Sequence, residues 1–89
     1  MSGMTSLHSP RDAGEATSRH VAAEVRAEMA RQGLTQTDLG NCLDIAPHTA
    51  GRRFRGEVAY DLIELTQVAA WLGVPLARLL PVAAERAAS

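Results

Sequence analysis

The chain has 89 residues, 46% of them hydrophobic but only 3% aromatic, and a formal net charge of −1. A chain of that length holds one small domain at most, and a core drawn from Leu, Val, Ile and Ala suits close-packed helices better than a sheet, so the expected fold class is all-α. Cys42 is the sole cysteine, which rules out an internal disulfide framework. With no secretion-type leader and no apolar run of about 20 residues, the expected location is cytoplasmic, with no membrane partner.

Residues 1–17 are rich in Ser, Thr, Gly and Met, are interrupted by Pro10 and Gly14, and show no sustained period. They read as a flexible, solvated N-terminal arm. Arg11 is offset there by Asp12 and Glu15, so the arm carries little positive potential. From Ser18 the pattern becomes helical: Val21, Val25 and Met29 recur every fourth residue with Ala22 beside them, while Arg19, Glu24, Glu28 and Arg31 face outward. Thr17 or Ser18 can cap this helix and Gly33 ends it. His20 has no cluster of ligand residues at metal-binding spacing around it and reads as a solvated helix residue.

Thr35 precedes the next apolar run and Asp38 follows three residues later, the spacing of a helix-capping pair. Leu39 and Leu43 supply the buried stripe of that helix, and Gly40 permits a neighbouring helix to come close. Asp44 takes the turn, and Pro47, whose fixed φ suits a first helical residue, opens another helix that runs to about Arg55 before Gly56 stops it. At about 100° per residue, Ala50 and Phe54 share one side of it, whereas His48, Arg52 and Arg55 cluster within about 60° on the opposite side. One face packs and the other is cationic. Gly51 adds no side chain beside the cationic face, so a flat partner surface can approach the backbone there. Although the whole chain is nearly neutral, residues 48–55 hold three of its nine cations and no acid, leaving six Arg against ten acids elsewhere.

After a connector over residues 57–60, Asp61 and Glu64 again stand at capping spacing and open a fourth helix with Leu62, Leu65, Val68, Ala69 and Leu72 as its apolar face. Gly73 ends it. Val74 and Pro75 turn the chain, and Leu76, Leu79 and Leu80 begin a short fifth helix that Pro81 stops. Residues 81–89 form an Ala-rich tail or weak helix. Leu76, Leu79, Val82 and Trp71 exceed what so short a segment can bury against its own domain, which suggests a homodimer through the C-terminal segment.

The run Leu34-Thr35-Gln36-x-x-Leu39-Gly40-x-x-Leu43, the turn through Ile45, then Thr49-Ala50-Gly51-Arg52 and Gly56, continued by Leu72-Gly73-Val74-Pro75, resembles the helix-turn-helix of the Cro and lambda-repressor family over residues 19–80. The resemblance implies a compact four-to-five-helix domain over residues 18–80. It also implies a sequence-specific double-stranded DNA-binding transcriptional regulator, bacterial or phage-encoded, that occludes its operator with the second helix of the motif in the major groove. Gln36 then touches phosphate or buttresses a reading side chain, and Pro47, His48, Thr49 and Gly51 line the groove. Arg52 reads guanine through its planar fork, and Arg53 and Arg55 meet phosphates.

Three positions depart from the family pattern. Asp44 stands where glycine is common, Ala46 replaces the usual hydroxyl cap, and Arg53 stands where a core residue is frequent, its packing taken over by Phe54. The alternative on the same fold is an antitoxin or anti-repressor whose cationic face serves a protein partner. His8, His20 and His48 are scattered and no glycine-rich phosphate loop follows a strand, so no enzyme, metal, cofactor or small-molecule ligand is expected.

Overall fold

The first helix begins at Pro10, well ahead of the start expected at Ser18. Proline is not an interruption here but the opening residue, because the N–H it lacks has no helical partner at that position. Ser9 caps it, its Oγ accepting the Asp12 N–H at 3.1 Å. Gly14 sits within the helix, where its low propensity costs roughly 1 kcal/mol relative to Ala. The arm expected over residues 1–17 is therefore helical from Pro10. The computed structural model describes residues 9–82. The rest of that arm, and the weak helix expected over the last residues, lie outside them.

Four α-helices follow in order, α1 (Pro10–Gln32), α2 (Gln36–Leu43), α3 (Pro47–Arg55) and α4 (Leu62–Leu72), and then a 3₁₀ turn, Leu76–Leu79. The architecture is all-α among the described residues. The fifth helix thus reduces to a single 3₁₀ turn, with Pro75 before it and Pro81 soon after leaving no room for an α-helix. Sequence signals at the other helix ends hold. Thr35 with Asp38 and Asp61 with Glu64 both form reciprocal capping boxes, and Gly33, Gly56 and Gly73 all take the left-handed conformation that closes a helix.

The core draws Val21, Val25 and Met29 from α1, Leu39 and Leu43 from α2, and Leu65, Val68, Ala69 and Leu72 from α4. Leu79 of the 3₁₀ turn, 1% exposed, completes it. Leu62 does not join the face assigned to it. It is the first residue of α4, before the helix reaches the core, and it stands 72% exposed beside Ile63 at 73%. The apolar surplus expected at the C-terminal end is largely consumed within the subunit, since Leu79 is buried and Leu76 and Trp71 pack against the core, leaving Val82 exposed.

Two side chains of α1 tie down the ends of other helices. Gln32 Nε2 donates to the Leu72 carbonyl at 2.8 Å, and Arg26 Nη1 donates to the Phe54 carbonyl at 2.8 Å. Each satisfies a carbonyl that a helix end leaves without a partner, and Arg26 also places positive charge at the negative end of α3.

Candidate functional site

The α2–turn–α3 unit is set by one close contact and one unusual backbone residue. A Cβ at Gly40 would stand 3.3 Å from the Ala50 Cβ and 3.4 Å from the Ile45 carbonyl, so glycine lets α3 cross tightly over α2. Asp44 makes the turn at φ 54°, ψ 49°, the left-handed region that Asp tolerates better than most residues. Ile45 N–H then reaches back to the Gly40 carbonyl at 3.1 Å. Ala46 gives α3 no side-chain cap, and Pro47 stands at its start.

On α3, Ala50 is buried and Phe54 packs half-buried against the core. The opposite face carries exposed His48, Arg52 and Arg55, with Pro47 exposed ahead of them and Thr49 half-buried between the two sides. The face anticipated from the periodicity is therefore present, but three of its expected members are placed differently.

Gly51 is buried rather than open to a partner. A Cβ there would lie 2.9 Å from Gln36 Nε2 and 3.0 Å from Arg55 Nη1, so the missing side chain makes room for Gln36 of α2 and for Arg55 folded back along its own helix. Gln36 thus buttresses α3 directly.

Arg53 is committed within the domain. Its Nε and Nη2 meet Glu64 Oε1 and Oε2 at 3.0 and 3.3 Å, and both side chains are largely covered, 19% and 13% exposed. It stands as a tie between α3 and α4, since a guanidinium held bidentate by a carboxylate has few donors left for a phosphate.

Arg55 is the third. Glu57 receives its Nε at 2.7 Å and its Nη2 at 3.4 Å, and lies 3.8 Å from Arg52 Nε. The Arg55 hydrogen bond, then the positive charge of Arg55, Arg52 and His48, hold the Glu57 carboxyl below its ordinary value of 4.5. The cationic stretch of the sequence is in this way partly neutralised by acids lying outside it, Glu57 and Glu64.

The roles of Arg26 and Glu57, and the tie of Glu64 to Arg53 beyond its capping of α4, lie outside the expectations from the sequence. Arg26 and Glu64 meet α3 across long sequence separations that no local pattern encodes. Glu57 had a signal: Gly56 closes α3 with a Schellman turn, Gly56 N–H to the Arg53 carbonyl at 3.1 Å and Glu57 N–H to the Arg52 carbonyl at 2.9 Å. That turn returns the residue after the glycine to the last turn of the helix. Cys42 is half-buried and burial pushes its thiol up, which favours the inert protonated form. Among the described residues no group of His, Cys, Asp and Glu is placed to hold a metal ion, and no helix is long and apolar enough to cross a membrane.

Two short helices joined at a left-handed turn, braced by α1 and α4 and presenting one face of the second helix to solvent, define a helix-turn-helix domain. The chain belongs to the BetR domain family, whose model matches residues 16–89. The solved DNA-binding domain of BldD is similar, at 26% identity and a TM-score of 0.62 over 75% of this chain and 97% of that one. The S. venezulae BldD DNA-binding domain gives 26% identity and 0.61 over 74% and 99%. No curated protein matches the chain. The narrower likeness to Cro and lambda repressor rests on the motif residues alone.

Proposed function

We propose that this chain is a sequence-specific duplex-DNA-binding transcriptional regulator that places α3 in the major groove and acts by occluding its operator. The observation that carries the reading is the outward face of α3, where His48 and Arg52 stand exposed on the second helix of the motif while Ala50 and Phe54 anchor its other side. The two solved BldD domains it resembles are DNA-binding domains, which supports the same use here.

Arg52 is the reader. Among the described residues its one ion-pair contact is the 3.8 Å approach of its Nε to Glu57, which leaves both terminal nitrogens of the guanidinium for the two major-groove acceptors of guanine. Pro47, His48 and Thr49 lie at the helix start, where base edges come within reach in this docking mode. Arg55 and Gln36 face the phosphates. In this reading two copies bind one operator, joined through the C-terminal segment, with half-site centres about 34 Å apart. Exposed Val82 is the apolar surface left at that end for the contact.

Selection of duplexes from a randomised library, followed by titration across a salt series, tests the proposal. Enrichment of a defined site is expected, with log K falling by about 0.9 per phosphate neutralised against log salt. Binding that is flat with salt, or equal for heparin and every duplex, would point instead to a protein partner for the same face.

A further inference from the structure

Resting on that reading, we infer that Glu57 sets how well this domain tells its own site from other DNA, by occupying Arg55. Glu57 stands one residue past the glycine that ends α3, and the turn fixes its backbone against the Arg52 carbonyl at 2.9 Å. From there its carboxylate takes two of the donors of Arg55, Nε and Nη2, while Nη1 is the atom that lies over Gly51. Arg55 is thus left one free terminal nitrogen, pointed along α3 towards Gln36. Arg52, approached only at 3.8 Å, keeps its reading fork.

The consequence differs between the two kinds of complex. Attraction to any duplex depends on charge summed over the face, and Glu57 subtracts from it because it lies against two of the three cations that surround α3 there. A register-fixed complex depends also on where each donor points, and Glu57 adds to that by holding a long, rotamer-rich side chain in one pose. One carboxylate therefore weakens non-specific binding while supporting the specific complex. Glu57 is a positioning residue: it acts through Arg55 and touches no base.

The test uses Glu57→Gln and Glu57→Asp in the full chain, each checked for helicity, titrated against the selected site and a scrambled duplex of equal length over a salt series. Glu57→Gln is expected to bind scrambled DNA about fivefold more tightly, the factor that removing a unit charge at about 4 Å in water represents. Its affinity for the selected site should change much less, so the ratio between the two falls. Its salt slope should steepen by up to about 0.9, as Arg55 becomes a full phosphate ligand. Glu57→Asp keeps the charge and should retain most of the discrimination. In an Arg55→Ala background, Glu57→Gln should lose most of its effect on the ratio. An equal rise on both duplexes, or no change on either, overturns the inference while leaving DNA recognition by α3 standing. Failure of the unmodified chain to prefer any duplex overturns the DNA reading, and the role of Glu57 with it.

Discussion

The Arg53 guanidinium lies fork to fork against the Glu64 carboxylate, and the same Glu64 Oε1 that takes Arg53 Nε at 3.0 Å also accepts the Asp61 N–H at 2.9 Å. One carboxylate therefore both caps α4 and ties it to α3. Exposed pairs contribute about 0.2–1 kcal/mol and breaking a fully buried one costs about 3–5, so this largely covered pair falls between. Arg53→Ala should destabilise the fold by about 2 kcal/mol in thermal or denaturant unfolding and leave the salt slope of DNA binding unchanged. A slope that fell by about 0.9 would return Arg53 to the phosphate ligands.

Reading and mere attraction separate at Arg52 and Arg55. Arg52→Ala should cost about 1–3 kcal/mol on the selected site and relax preference at one base position. Arg55→Ala should weaken selected and scrambled DNA both, the selected site somewhat more because the held pose goes with the side chain, without relaxing preference at any single base. It should reduce the salt slope by less than the full 0.9 or so per phosphate, because Glu57 already neutralises part of its charge. Titrations on single-base variants of the site decide between them. Equal effects of both substitutions on selected and scrambled DNA would make His48 and Thr49 the next candidates for reading.

Gly51 offers a substitution in which stability and binding move in opposite directions. Alanine in a helix interior gains about 1 kcal/mol over glycine, and the atoms a Cβ would meet are the ends of two flexible side chains, which can swing aside. Gly51→Ala should therefore fold at least as stably as the parent. It should bind DNA more weakly, since Gln36 and Arg55 lose their seats against α3. A variant that bound as well as the parent would show that neither side chain needs its present pose.

Tyr60 is half-buried, and its hydroxyl is covered with no hydrogen-bond partner among the described residues. Burial pushes its phenol up to about 12 from 10.0. A buried, unpaired hydroxyl costs about 1–3 kcal/mol, so Tyr60→Phe should raise stability by about 1 kcal/mol. The sign with pH follows from the raised value: the folded form holds its proton more tightly than the unfolded form. The parent's stability is therefore undiminished by this group below pH 10.0 and falls as pH rises towards about 12. Tyr60→Phe should flatten that alkaline decline in melting temperature; an identical decline in both proteins would assign it to other groups.

What was legible in the sequence was whatever local chemistry decides. Capping boxes at Thr35 and Asp61, left-handed glycines at Gly33, Gly56 and Gly73, and Pro47 at a helix start each act over a few residues, and each stands as read. The start of α1 is legible too, since Ser9-Pro10 with Asp12 is a start signal, but the helix-breaking propensities of Pro10 and Gly14 mask it. The candidate site was legible as a face and not as a circuit. Helical periodicity sorted His48, Arg52 and Arg55 from Ala50 and Phe54, yet it carried no information on which acids the fold would bring against them. Glu64 reaches Arg53 only after α4 has docked, and the room at Gly51 is visible only once Gln36 of a different helix lies over it.

Leu79 seats against residues supplied by α1 and α4, at the far end of the described chain from Val21, Val25 and Met29. During synthesis α1 emerges first, and its apolar stripe is covered in stages, by residues of α2, then of α4, and lastly by Leu79. A chain halted before Leu79 thus has most of its helices made but lacks one of the fully buried side chains that fill the core. The unfinished protein therefore offers chaperones and proteases an apolar gap that the seating of Leu79 closes.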